Sequence, residues 1–196
     1  LGWAIMGRQI SAAAAVSPQV LHFDEVTGLM VTRFIDGAAT MSPERFKSVA
    51  GAPARAGDAF RKLHRSGAVF PFRFELFAMI DDYLRILSTK EVVLPAGYHD
   101  LVREAEAVRA ALAAHPAGLA ACHCDPLCEN FLDTGERMWI VDWEYAGMND
   151  PLWDLGDLSV EGSFDADHDE AMMRACFGGE PLPAERGCVT IFKAMC

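Results

Sequence analysis

Residues 122–147 read CHCDPLCENFLDTGERMWIVDWEYAG. The first seven positions hold three cysteines, a histidine and an aspartate, and they admit two chemistries. Thiolates and an imidazole in a short span are what zinc takes. Oxygens at Asp125, Asn130 and Asp142 are what Mg²⁺ and phosphate chemistry take. The local pattern separates the two. GLAACH, residues 118–123, reads as a short apolar strand, so Cys122 and Cys124 point one way and His123 the other. No second Cys or His pair follows at the spacing of a structural zinc motif. A cysteine nucleophile lacks a partner too, since nothing singles out His22, His64, His99, His115 or His168. The cysteines then read as small buried packing residues.

The oxygens are better placed. NFLD and MWIVDW read as two strands around the turn TGER, with Asp142 at the end of the second. Asp125 and Asn130 lie five residues apart in the loop before them. A loop and a neighbouring strand end can bring all three together. His-x-Asp, an Asn five residues on, and a later Asp at a strand end is the spacing of a kinase-type phosphoryl-transfer loop. In that reading Asp125 accepts the proton of the attacking hydroxyl, while Asn130 and Asp142 hold Mg²⁺ against ATP phosphates. His123 reads as a loop-bracing residue.

Working outward, Gln19–Phe23 and Gly28–Phe34 read as strands joined by a turn. Ser42 and Pro43 open a helix that runs, with an interruption at Gly51–Pro53, to His64. Phe74–Leu87 and Tyr98–His115 carry apolar residues at helical spacing. Helix returns from about Pro151. The order predicts an α+β chain of two unequal parts, the larger one mainly helical with a short strand pair.

Bulk properties bound the rest. The chain has 196 residues, 52% hydrophobic and 23% charged, so it can bury a core. Its net charge of −11 argues against a nucleic-acid backbone as partner, which needs a cationic face. Six cysteines, three in one loop, do not form a secreted disulfide framework, so reduced thiols and a cytoplasmic location are expected. No apolar run approaches the roughly 18 residues of a membrane span. LGWAIMGRQISAAAAVSP has the small residues of a secretory signal, but Arg8 interrupts it and no basic segment precedes it.

HCDPLCENFLD followed by WIVDWEYAGMNDPLWDLGDL resembles the choline/ethanolamine kinase family, within the wider aminoglycoside-phosphotransferase-like group. The likeness is strong over about 120–162 and extends from about residue 17. It implies a protein-kinase-like fold and Mg²⁺ and ATP as cofactor and co-substrate. It implies a catalytic base at Asp125 and magnesium ligands at Asn130 and Asp142. Asp154 matches the acid that braces the catalytic loop from below. Tyr145 and Glu161 fall where the family builds its choline pocket. Phe34 and Ile35, in TRFIDG, match the hinge whose backbone meets adenine. Residues 1–37 would then be a partial ATP lobe with its hinge, and 38–196 the catalytic and substrate lobe.

A quaternary ammonium favours aromatic faces and a nearby carboxylate, and Trp143, Tyr145, Trp153, Glu144 and Glu161 supply both types. Trp143 and Trp153 also read as ordinary core aromatics. The sequence departs from the family at Cys124 and Pro126, neither of which supplies a catalytic oxygen. No Gly-rich loop precedes residue 17 and the first lysine is Lys47, so the chain reads as truncated on the ATP side and at its C-terminal helices. The expected function is phosphorylation of a small cationic alcohol, choline or ethanolamine. The alternatives are a kinase for an aminoglycoside or other alcohol, and an inactive kinase-like scaffold. Oligomeric state is left open.

Overall fold

The computed structural model describes residues 15–196. The start of the chain, including Arg8 and most of the segment read against a secretory signal, lies outside them.

Strands β1 (Val20–Phe23) and β2 (Met30–Thr32) pair antiparallel as a hairpin. Asp24 closes its turn, accepting hydrogen bonds from the Val26 amide and the Thr27 hydroxyl. β2 is shorter than Gly28–Phe34, and residues 33–38 leave the sheet. A two-residue strand not anticipated from the sequence, β3 (Ala39–Thr40), follows.

Helix α1 (Pro43–Ser48) starts where Ser42 caps it, the Arg45 amide donating to Ser42 Oγ at 3.3 Å. The expected interruption is a full break. Gly51 takes a left-handed φ of 72°, and α2 (Ala52–His64) begins behind it with Pro53 in its first turn. Helix α3 (Leu76–Ser88) starts two residues later than the apolar spacing predicted, because Phe74 is extended. Helix α4 (Tyr98–Ala114) follows. Neither α3 nor α4 buries a residue fully. Arg109 of α4 joins them, donating to Phe77 O at 3.0 Å and Asp81 Oδ1 at 2.7 Å.

The second half carries more pairing than one strand pair. β4 (Ala120–Cys122) pairs with β7 (Gly147–Asn149), a strand the sequence reading missed. β5 (Phe131–Asp133) lies between β3 and β6 (Met138–Ile140). Helices α5 (Leu152–Glu161), α6 (Ala166–Phe177) and α7 (Pro183–Met195) complete the chain. Asp165 caps α6 at one end and Gly178, at φ 75°, closes the other.

The core gathers around α2. Ala52, Ala56, Phe60 and Leu63 of that helix are buried with Phe46, Phe131, Ile140, Leu155 and Met172. Phe46 and Phe60 both meet Phe131 edge to face, at centroid separations of 5.6 and 5.7 Å. Arg55 crosses from α2 to β5 and grips Asp133 with two nitrogens, at 2.8 and 2.6 Å. Val16 joins this core, its carbonyl accepting from the Ile140 amide at 2.8 Å. β4 and β6 lie against α2, and α5 reaches the loop between β4 and β5 through Asp154.

Candidate active site

The loop from His123 to Asn130 is held by its backbone. Asp154, in the first turn of α5, is fully buried. Its carboxylate accepts from the amides of His123 and Cys124, each at 2.9 Å. His64 Nε2 lies 2.9 Å from the same carboxylate. Trp153 Nε1 donates to Cys124 O at 3.2 Å. Cys124 is driven to φ 69°, a region costly for a residue with a Cβ, so the two amides are aimed by their partners rather than by local preference.

His123 is buried, and its Nε2 lies 2.9 Å from Val141 O. Trp143, also buried, stacks edge-on against it at 5.0 Å between centroids. That position puts Trp143 behind His123 with no face open to a ligand. The reading as a substrate-facing ring is corrected to that of a core aromatic.

Asn130 sits in a single 3₁₀ turn, Cys128–Asn130, and donates from Nδ2 to Asp125 O at 3.0 Å. That bond leaves its side-chain oxygen free to coordinate. Its own carbonyl accepts from the Val141 amide at 2.9 Å, which ties the loop to the segment carrying Asp142. Asp142 lies two residues past β6, exposed, with φ 63°. Asp tolerates that conformation better than most residues. Burial pushes the Asp125 carboxyl above its ordinary range, His123 pulls it back, and the charge of Asp142 pushes it up again. Asp125 and Asp142 therefore feel each other. A neutral amide oxygen and a carboxylate beside that aspartate suit a hard cation such as Mg²⁺.

Six free cysteines are present. Cys122, Cys124 and Cys128 are buried, and burial pushes their thiols up, Cys128 to about 12. They are poor thiolates and poor nucleophiles at neutral pH. Among the described residues His64, Cys122 and Asp154 come close enough to share a metal ion. Asp154 is already engaged by two loop amides and His64, and Cys122 by the carbonyls of Ala120 and Asn149. His64 is the participant that the sequence reading passed over. It lies 90 residues from Asp154, and its only local sign is a histidine ending an apolar helix.

The remaining predicted residues are spread out. Tyr145 is half exposed on the loop between β6 and β7 and lines a cavity with Phe72, Phe74 and Glu144. Glu161, exposed at the end of α5, does not line that cavity, and its charge acts on Cys128 and Asp157. Phe34 is 82% exposed beyond β2, and Ile35 is half buried and accepts from the Ala38 amide. Trp153 is buried between Phe74 and Phe192. No helix among the described residues is long and apolar enough to cross a membrane.

A model of the phosphotransferase enzyme family matches residues 4–185. The chain is 75% identical to a choline/ethanolamine kinase family protein from Mesorhizobium loti, whose crystal structure it matches with a TM-score of 0.94. That match covers 100% of this chain and 66% of the other. Protein LicA of Haemophilus influenzae is 27% identical over 153 residues, 76% of this chain and 55% of LicA. The fold is also that of choline kinase LicA from Streptococcus pneumoniae, at TM-score 0.78 and 24% identity over 96% of this chain and 66% of that one. The chain thus spans between about half and two thirds of the length of these relatives.

Proposed function

The chain belongs to the phosphotransferase enzyme family, and on that premise we propose that it serves the transfer of a phosphoryl group from ATP to the hydroxyl of a small cationic alcohol, choline or ethanolamine. The observation that carries the reading is the loop held by Asp154. Two amides on one carboxylate fix the backbone on both sides of His123, so Asp125 is presented at a set height. The likeness to a choline/ethanolamine kinase family protein at 75% identity supports the substrate class.

Each residue has a task that its surroundings permit. Asp125 takes the proton of the alcohol as the oxygen attacks, and its raised proton affinity favours that role. Asn130 and Asp142 would hold Mg²⁺. When bound, the ion neutralises the phosphate charge that develops in the transfer. Asn130 also restrains Asp125 through the carbonyl of that residue, so base and metal ligand move together. Asp154 and His64 hold the loop from beneath and touch no substrate. Phe34 and Ile35 are proposed to meet adenine through their backbone.

The test is ADP release by the full-length protein with Mg–ATP and a panel of choline, ethanolamine, an aminoglycoside and a macrolide. Release with choline or ethanolamine alone is the expected outcome. Release only with an antibiotic, or with none of the panel, contradicts the reading.

A further inference from the structure

We propose that the buried junction behind the catalytic loop is a site for a thiophilic divalent ion, Zn²⁺, held by His64, Cys122 and Asp154 and separate from the Mg²⁺ position proposed at Asn130 and Asp142.

Three elements meet at this junction. His64 is the last residue of α2, Cys122 the last of β4, and Asp154 lies in the first turn of α5. One ligand atom from each lies within 4.8 Å of the other two. Zinc does not fit residues 122–128 by themselves, because neighbours on a strand point apart. The fold takes one donor from that stretch and brings the other two from α2 and α5.

The donors are held in position. The His64 ring stacks parallel to Phe60 at 5.6 Å between centroids. Its Nε2 lies 2.9 Å from Asp154 Oδ2, and its Nδ1 lies 4.0 Å from Cys176 Sγ on α6. A metal-bound imidazole is ordinarily fixed through its other nitrogen in this way. An ionised carboxylate offers about four lone-pair positions. Asp154 spends two on the amides of His123 and Cys124. An ion would replace the hydrogen between Nε2 and Oδ2, and both amide bonds would persist. The Cys122 thiol has one proton for two long contacts, Ala120 O at 3.5 Å and Asn149 O at 3.6 Å.

Charge favours the same ion. Burial, and then the charge of Asp154, push the Cys122 thiol well above its ordinary range, so it keeps its proton. A divalent cation cancels the two negative charges of a thiolate and a carboxylate where a net charge would be costly. Binding then releases the thiol proton to solvent. Sulfur and nitrogen donors select Zn²⁺ over Mg²⁺. A cavity of about 190 Å³, walled by Arg61, His64, Arg65, Ala120, Leu152 and Cys176, gives an approach from the imidazole side. Arg61 is paired with Asp58, and Arg65 donates to Phe177 O. A water in that cavity would complete a four-coordinate site.

Zinc titration of the reduced full-length protein, in excess Mg²⁺, tests this. Saturating Zn²⁺ is expected to raise the midpoint of thermal unfolding by about 5 °C. Co²⁺ in its place is expected to show sulfur-to-metal charge-transfer absorption. Cys122→Ser should abolish that absorption and weaken Zn²⁺ by about 100-fold, whereas Cys196→Ser, at an exposed thiol, should leave both unchanged. Zn²⁺ affinity unmoved by Cys122→Ser, its loss in Cys196→Ser, or no saturable binding overturns the assignment. Circular dichroism checks that the variants fold. Zinc-edge anomalous scattering from crystals of the unaltered protein soaked in Zn²⁺ needs no variant. A peak between His64 and Asp154 upholds the site, and a peak elsewhere alone, or none, overturns it. No readout involves phosphoryl transfer, so the site stands or falls apart from the proposed reaction.

Discussion

Asp154 has more strong partners than any other carboxylate around the loop, two amides and an imidazole, and it has no contact with water. Asp154→Asn puts an NH₂ where an oxygen had accepted, leaving at least one buried amide unpaired. A loss of about 3 kcal/mol in urea unfolding is expected, with turnover falling further than substrate affinity. Asp157, one turn along, is the other unusual acid. Burial, and then the charges of Asp154, Glu161 and Asp125, push it up to about 7. An unfolded chain ionises an aspartate near pH ~4. Between about pH 4 and about 7 the folded form holds a proton that the unfolded form has released, so stability falls as pH rises through that window and levels above it. Asp157→Asn should flatten the dependence and gain on the order of 1–2 kcal/mol at pH 8, after allowance for partial exposure. Unchanged unfolding curves from pH 4 to about 8 would count against the assignment. At this scale the sequence was most legible where chemistry shows in spacing. Asp125, Asn130 and Asp142 stood out because phosphoryl transfer needs oxygens at set intervals. His64 did not, because its partner Asp154 lies 90 residues away.

Helices declared themselves by caps and apolar spacing. Ser42, Gly51 and Pro53 mark α1, the break and α2 in the sequence itself. Strands of two or three residues carry too little pattern. β3 and β7 exist because β5 and β4 offer unpaired edges, a long-range cause that no local window contains. Phe74 was assigned to α3 because its apolar character fits the helical stripe. The backbone instead spends its amide on β7. Helix packing supplies its own test at Gly156. A Cβ there would lie 2.6 Å from Phe192 Cβ and 3.0 Å from Lys193 N, so α5 and α7 touch through the gap a glycine leaves. Gly156→Ala should cost about 1–3 kcal/mol by thermal or urea unfolding, despite the better helix propensity of alanine. A stabilised variant would show that α7 does not rest on α5 as described.

Taken whole, the chain is acidic, with 28 aspartates and glutamates against 17 lysines and arginines. A net charge of −11 raises the local concentration of cations and repels anions. For a cationic alcohol, kcat/KM should fall as ionic strength rises, and a neutral alcohol taken as a poor substrate should show no such trend. In the proposed reaction ATP approaches against this field, and Mg²⁺, where Asn130 and Asp142 would hold it, would also serve as counter-charge. The α+β architecture was legible from element order, whereas the placing of Tyr145 on a hollow that Glu161 does not line needed the fold. The most direct test of the account is ³¹P NMR of full-length protein incubated with Mg–ATP and choline, beside Asp125→Asn. The account predicts a new phosphomonoester resonance that grows as the γ-phosphate of ATP declines, slowed by about 10²–10⁴-fold in the variant. Transfer to choline at an undiminished rate in Asp125→Asn, or no phosphomonoester from the unaltered protein, would contradict it.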